Sequence, residues 1–158
     1  MDANSPRTAG SLRVMPVPAG PSLLTLGVTD VERATAFYEA VGFTRSTDSV
    51  EGEVTFLRCA GTHLGLWSHG KLADDAQLPA DPAPAFRGSS IAMNLPDRET
   101  VDAVFARWVE AGATPQRAPH ETFWGGYTSY VLDPDGHLWE LAHNPGWPLD
   151  ERGLPQLP

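Results

Sequence analysis

From Ser22 onward apolar and polar positions alternate, with Leu24, Leu26 and Val28 set against Leu23, Thr25 and Gly27, which predicts a strand with one face on a core. The period then changes to that of a helix. Val31, Ala34, Phe37, Tyr38 and Val41 recur at helical spacing, Thr29 and Glu32 read as a capping box, and Gly42 stands where a glycine ends a helix. Three short strands are predicted next, over 43–47, 53–59 and 62–68. The same order then returns. Ile91, Met93 and Leu95 alternate with Ser90, Ala92 and Asn94, and Asp97 opens a second helix whose stripe of Val101, Val104, Phe105, Trp108 and Val109 ends at Gly112. Gly125 to Leu132 and His137 to His143 read as strands joined by Asp133-Pro134-Asp135-Gly136, which suits a type I turn.

The chain therefore divides into two βαβββ modules, 21–69 and 89–143, and its fold class is α+β. Two such modules are expected to bury each other's open sheets and leave a cleft. Residues 1–20 lack periodicity and read as a flexible N-terminal arm, the proline-rich stretch 70–88 as a linker, and 144–158 as a surface tail pinned by Trp147 and Leu149.

Strand parity sorts the candidate chemistry. If Leu24, Leu26, Val28 and Ile91, Met93, Leu95 face the helices, then Leu23, Thr25, Gly27 and Ser90, Ala92, Asn94 face the cleft. The same alternation groups His63, Gly65 and Trp67 inward, and Leu138, Glu140 and Ala142 inward on the last strand. In Phe123-Trp124-Gly125-Gly126-Tyr127 two glycines between large aromatics allow a close backbone approach beside flat apolar walls. Trp67, Trp124, Tyr127 and Glu140 form the expected pocket, with Phe56 and Tyr130 as neighbours and Thr25, His63, Ser90 and Asn94 as further ligand-binding positions. A carboxylate in an apolar cleft must be paired or have its pKa raised, so Glu140 reads either as a hydrogen-bond acceptor for nearby Tyr or Trp groups or as a ligand anchor or general base. His137, beside the turn, is expected to face solvent, and His69, His120 and His143 have no metal-site spacing.

Composition narrows the function classes. The 158 residues are 41% hydrophobic, enough for a folded core, and carry 20 acidic against 11 basic side chains for a net charge of −9, which argues against nucleic acid as a partner. No apolar run approaches a membrane span and the first residues lack a secretory pattern, so a soluble cytoplasmic protein with no membrane partner is expected. The single cysteine, Cys59, excludes an intrachain disulfide. Nucleophilic hydrolase and nucleotide-transfer chemistry lack their motifs, since no serine has a Gly-x-Ser-x-Gly context and there is no phosphate loop.

The paired module order, the opening TLGVTDVERATAFYEAVGF and the closing FWGGYTSYVLDPDGHLWELAHNP resemble the vicinal oxygen chelate superfamily over about residues 22–145. That group includes glyoxalase-type lyases, ring-cleaving dioxygenases, fosfomycin-modifying enzymes and bleomycin-resistance proteins. The resemblance implies a glyoxalase-like mixed-sheet half-barrel cleft. It also implies four metal-ligand positions, which fall on Leu23, Gly65 or its vicinity, Ser90 and Glu140, and of these only Glu140 is a suitable donor. The expectation is accordingly a protein without metal or other cofactor that binds a small hydrophobic or aromatic molecule. A glyoxalase-type lyase or isomerase, metal-dependent or using Glu140 as general base, is the alternative. The family's habit of pairing halves across subunits, and the sheet edges that two small modules leave, imply a homodimer.

Overall fold

The computed structural model describes residues 20–158. The first module contains β1 (Leu23–Val28), α1 (Val31–Ala40), β2 (Thr44–Arg45), β3 (Val54–Arg58) and β4 (His63–Ser68). The second contains β5 (Ile91–Asn94), α3 (Arg98–Glu110), β6 (Thr114–Glu121), β7 (Tyr127–Leu132) and β8 (Leu138–His143), and α2 (His69–Asp75) lies between them. Each module folds into its own four-stranded sheet, in the orders β1-β4-β3-β2 and β5-β8-β7-β6. In both, the first strand is parallel to the last and the other pairs are antiparallel. No helix among the described residues is long and apolar enough to cross a membrane.

The two helices begin and end alike. An aspartate caps each N-terminus: Asp30 accepts from Arg33 N at 3.0 Å and Asp97 from Thr100 N at 2.7 Å. The expected box of Thr29 and Glu32 does not form, because the Thr29 hydroxyl bonds Asp135 of the second module at 2.7 Å and Glu32 accepts from Gly52 N. At the other end Gly42 and Gly112 adopt φ of 110° and 111°, and the residue after each returns a hydrogen bond to the carbonyl five positions back. An L side chain is strained at that φ, which is why glycine stands at both stops.

The modules meet through their helix-covered sides. Phe37, Tyr38 and Phe43 of the first interlock edge to face or tilted with Trp108 and Trp139 of the second, at centroid distances of 5.1 to 6.4 Å across the cluster. The Tyr38 hydroxyl donates to Asp133 Oδ2 at 2.7 Å and accepts from Trp139 Nε1 at 3.1 Å. Burial, reinforced by the Asp133 charge, pushes the Tyr38 phenol well above its ordinary pKa. The β7–β8 turn then docks on the start of α1, where Asp135 Oδ1 takes hydrogen bonds from Thr29 N, Thr29 Oγ1 and Arg33.

His137 closes this seam and is 8% exposed, contrary to the expectation that it faces solvent. Its Nε2 lies 3.0 Å from the Gly27 carbonyl, which can only accept, so that nitrogen bears the hydrogen. Its Nδ1 lone pair then faces Arg87, which also donates to the Asp135 carbonyl. Burial holds the His137 pKa below its ordinary 6.5. The linker thus contributes more than a connection: α2 occupies its start, and Arg87 near its end ties the turn in place. The C-terminal segment folds back in a turn, with Asp150 N bonding the Leu154 carbonyl, and sets Leu154 against Gly61 of the first module.

Candidate functional site

Because α1 and α3 cover one side of each sheet, the other side carries no long helix, only the start of α2 against Gly27 of the first sheet, and parity decides what stands there. On the first sheet the cross-strand rows pair Leu23 with His63, Thr25 with Gly65 and Phe56, and Gly27 with Trp67 and Val54. The alternate residues Leu26, Val28, Thr55, Leu57, Leu64 and Leu66 are buried beneath α1. Leu23 remains 43% exposed, and Thr25, Phe56 and Trp67 are half-buried. A Cβ at Gly65 would stand 3.1 Å from Thr25 Oγ1, so the glycine makes room for that side chain. His63 is exposed, and its Nδ1 accepts from Cys59 N at 3.1 Å, which commits that nitrogen to closing the β3–β4 turn.

The open side of the second sheet is polar. Its rows run Ala92, Glu140, Tyr130, Arg117 and Asn94, Ala142, Thr128, His120. Glu140 is half-buried and doubly anchored: Thr128 Oγ1 donates to its Oε1 at 2.9 Å and Tyr130 OH donates to the same oxygen at 3.1 Å. Burial first, then the Glu140 charge, raises the Tyr130 pKa, which keeps the phenol a donor. Arg117 is exposed and makes no ion pair among the described residues, and His120 turns Nδ1 to the Ala118 carbonyl at 2.9 Å.

Other expected site residues lie elsewhere. Tyr127 is on the covered side of β7, where its hydroxyl donates to Asp102 at 2.9 Å and the Arg98 guanidinium lies 5.5 Å from its ring centroid. That hydrogen bond raises its pKa and takes the ring away from Glu140. Trp124 folds back over its own turn: a Cβ at Gly126 would fall 1.8 Å from the indole, so the second glycine accommodates this ring, which stays 45% exposed. Ser90 lies before β5 on the wall of a cavity of about 150 Å³ shared with Leu24, Leu26, Arg87 and His137, at the seam between the modules. Asn94 also borders a larger seam cavity of about 520 Å³ between Leu24, Leu64, Ile91, Met93 and Trp139, with Leu154 of the C-terminal turn on its wall.

Within one chain the two open faces do not meet. No hydrogen bond or aromatic contact among the described residues joins Thr25, Phe56 or Trp67 to Asn94, Tyr130 or Glu140, because the seam is built from the covered sides. Sequence reasoning grouped Trp67 with Trp124 and Glu140 in one cleft, whereas the structure sets Trp67 on the first sheet, Glu140 on the second and Trp124 in the β6–β7 turn. Thr128 and Arg117 were not singled out as site residues. Thr128 was findable, since its even spacing from Tyr130 puts both on the same face of one strand.

A divalent metal of the kind used by many glyoxalase-type proteins needs several His or carboxylate donors converging on one point. Among the described residues no three His, Cys, Asp or Glu side chains are so grouped. The matched positions supply the side chains of Leu23 and Ser90 and the bare backbone of Gly65, so these residues do not fit that metal.

Comparison with known proteins agrees with the topology. A curated relative, the phenazine antibiotic resistance protein EhpR of Enterobacter agglomerans, is 28% identical over 120 residues, covering 75% of this chain and 87% of that protein. The crystal structure of a glyoxalase-related enzyme from Fulvimarina pelagi superposes with a TM-score of 0.79 at 31% identity, over 88% of this chain and 98% of that one. A lactoylglutathione lyase from Agrobacterium tumefaciens, at 21% identity and a TM-score of 0.64 over 85% of this chain and 100% of that one, shares the fold. The family model of the Glyoxalase/Bleomycin resistance protein/Dioxygenase superfamily matches residues 20–141, and the chain belongs to that superfamily.

Proposed function

We propose that the protein is a homodimer that binds a small hydrophobic or aromatic molecule, without a metal ion, in a cleft made from the first sheet's open face of one protomer and the second sheet's open face of its partner. The observation that carries this reading is the disposition of the two faces. One presents Trp67, Phe56 and Leu23, the other Glu140 held by Thr128 and Tyr130, and among the described residues neither long helix lies over them. Pairing them across two copies removes exposed apolar surface from water and places flat walls opposite a fixed carboxylate. The resistance role in the relative's name fits sequestration of a planar compound.

The test combines mass and binding. Light scattering should give about twice the 17.0 kDa chain mass, and phenazine should quench tryptophan emission in wild type but weakly in Trp67→Ala. A monomer at all concentrations with unchanged emission overturns the proposal. Glu140 as general base is the second reading, favoured by its unengaged Oε2; turnover of a bound compound that disappears in Glu140→Gln while binding persists would establish it.

A further inference from the structure

The geometry at Glu140 points to the kind of molecule the cleft takes. Both internal donors, Thr128 Oγ1 and Tyr130 OH, reach Oε1, and no hydrogen bond reaches Oε2 among the described residues. The first two bonds fix the carboxylate, so its second oxygen is held as an acceptor on the open face. Its neighbours in register, Ala92 on β5 and Tyr130 on β7, leave it unpaired. The other charged or titratable groups of this face are Arg117, in register with Tyr130 but not ion-paired with Glu140, and His120 in the next row.

We propose that Glu140 Oε2 recognises a planar aromatic or heteroaromatic ligand carrying a protonated nitrogen, an inference that rests on the two-protomer cleft proposed above. Three features agree on the positive charge. A fixed carboxylate oxygen gains most from a charged N–H donor. The indole of Trp67, on the opposing sheet, attracts a cation to its face and gives no such attraction to an anion. The chain's net charge of −9 raises the local concentration of cations and lowers that of anions.

The experiment uses the full-length dimer and three tricyclic probes of similar shape: 9-aminoacridine as the cation, phenazine as the neutral ring and phenazine-1-carboxylate as the anion, each followed by tryptophan quenching at neutral pH and physiological salt. The cation is expected to bind at least about ten-fold more tightly than the anion, the order set by one charge-assisted hydrogen bond. Glu140→Gln puts an amide N–H₂ on the ligand or breaks the two internal bonds, so it should abolish that preference while phenazine affinity stays within about two-fold. It changes the net charge by a single unit, so a preference caused by long-range attraction alone would survive it. Glu140→Ala, which removes the acceptor without introducing an amide donor, should likewise abolish the preference and supplies a second reading should Glu140→Gln fold poorly. Equal or tighter binding of the carboxylate, or a preference retained in Glu140→Gln, overturns this inference and leaves the cleft standing. If none of the three probes binds, the cleft and this inference fall together.

Discussion

The two modules share strand order, helix caps and helix stops, yet their open faces have diverged completely. The covered faces are alike because both solve one problem, an amphipathic helix laid on a twisted sheet, with Leu26, Leu64 and Leu66 in one module answered by Trp139, Leu141 and Val131 in the other. On the open sides the first module presents Leu23, Phe56 and Trp67, whereas the second presents Asn94, Tyr130, Arg117 and Glu140. Fold constrains the first set through packing, and it leaves the second set free to carry chemistry.

The sharpest way to break this comparison is to remove a tryptophan from each kind of face. Trp139 is 2% exposed and joins both modules, so Trp139→Ala should cost about 3–5 kcal/mol in urea unfolding. Trp67→Ala on the open face should cost below about 1.5 kcal/mol in the same assay, its main effect falling on ligand binding. Equal losses would show that the open face is a structural core. A somewhat smaller effect is expected at the turn that docks the modules. Asp133 accepts from Tyr38 OH, Asp135 N and His137 N at 2.7, 2.9 and 2.8 Å while nearly fully buried, so Asp133→Ala should lose about 2–4 kcal/mol by leaving those donors unmet.

The seam also predicts a pH dependence. His137 has its folded pKa below the ordinary 6.5, so the unfolded chain takes up the proton first as pH falls. Its contribution is fully present above about pH 6.5 and is lost on acidification until the folded pKa is reached. Urea midpoints measured from pH 7.5 to 5 should fall more steeply in wild type than in His137→Gln, and parallel curves would remove His137 as the cause. The smallest expected effect tests the likeness of the modules. Gly42→Ala and Gly112→Ala, at φ of 110° and 111°, should each lose about 1 kcal/mol, and a difference above about 1 kcal/mol between them would show that the two stops are not equivalent.

Most strands and both long helices were legible because their burial is one-sided, and one-sided burial writes its period into the sequence. β6 was not bounded in advance: Thr114-Pro115-Gln116-Arg117-Ala118-Pro119 is largely exposed and carries two prolines, and its pairing with β7 shifts register around Arg117. The short α2 buries none of its residues and so left no apolar stripe to read. At the site, parity correctly grouped Thr25 with Trp67 and Asn94 with Glu140 but could say nothing about loops. Trp124 folds onto Gly126 and Tyr127 reaches Asp102 through contacts that no periodicity encodes.

The sequence by itself determined the two βαβββ modules and the residues on each side of β1, β4, β5 and β8, and the resemblance it carries left Glu140 as the suitable donor among the matched ligand positions. These follow from local rules, since alternation, helical spacing and glycine stops act within a few residues of one another. Only the tertiary structure decided which sides of the modules meet, that His137 is buried against Gly27 and Arg87, and that Thr128 and Tyr130 spend their hydrogen bonds on one oxygen of Glu140. Those outcomes depend on groups up to 110 residues apart, whose approach is set by the packing of Tyr38, Trp108 and Trp139 at the seam and the cross-strand register of β7 and β8.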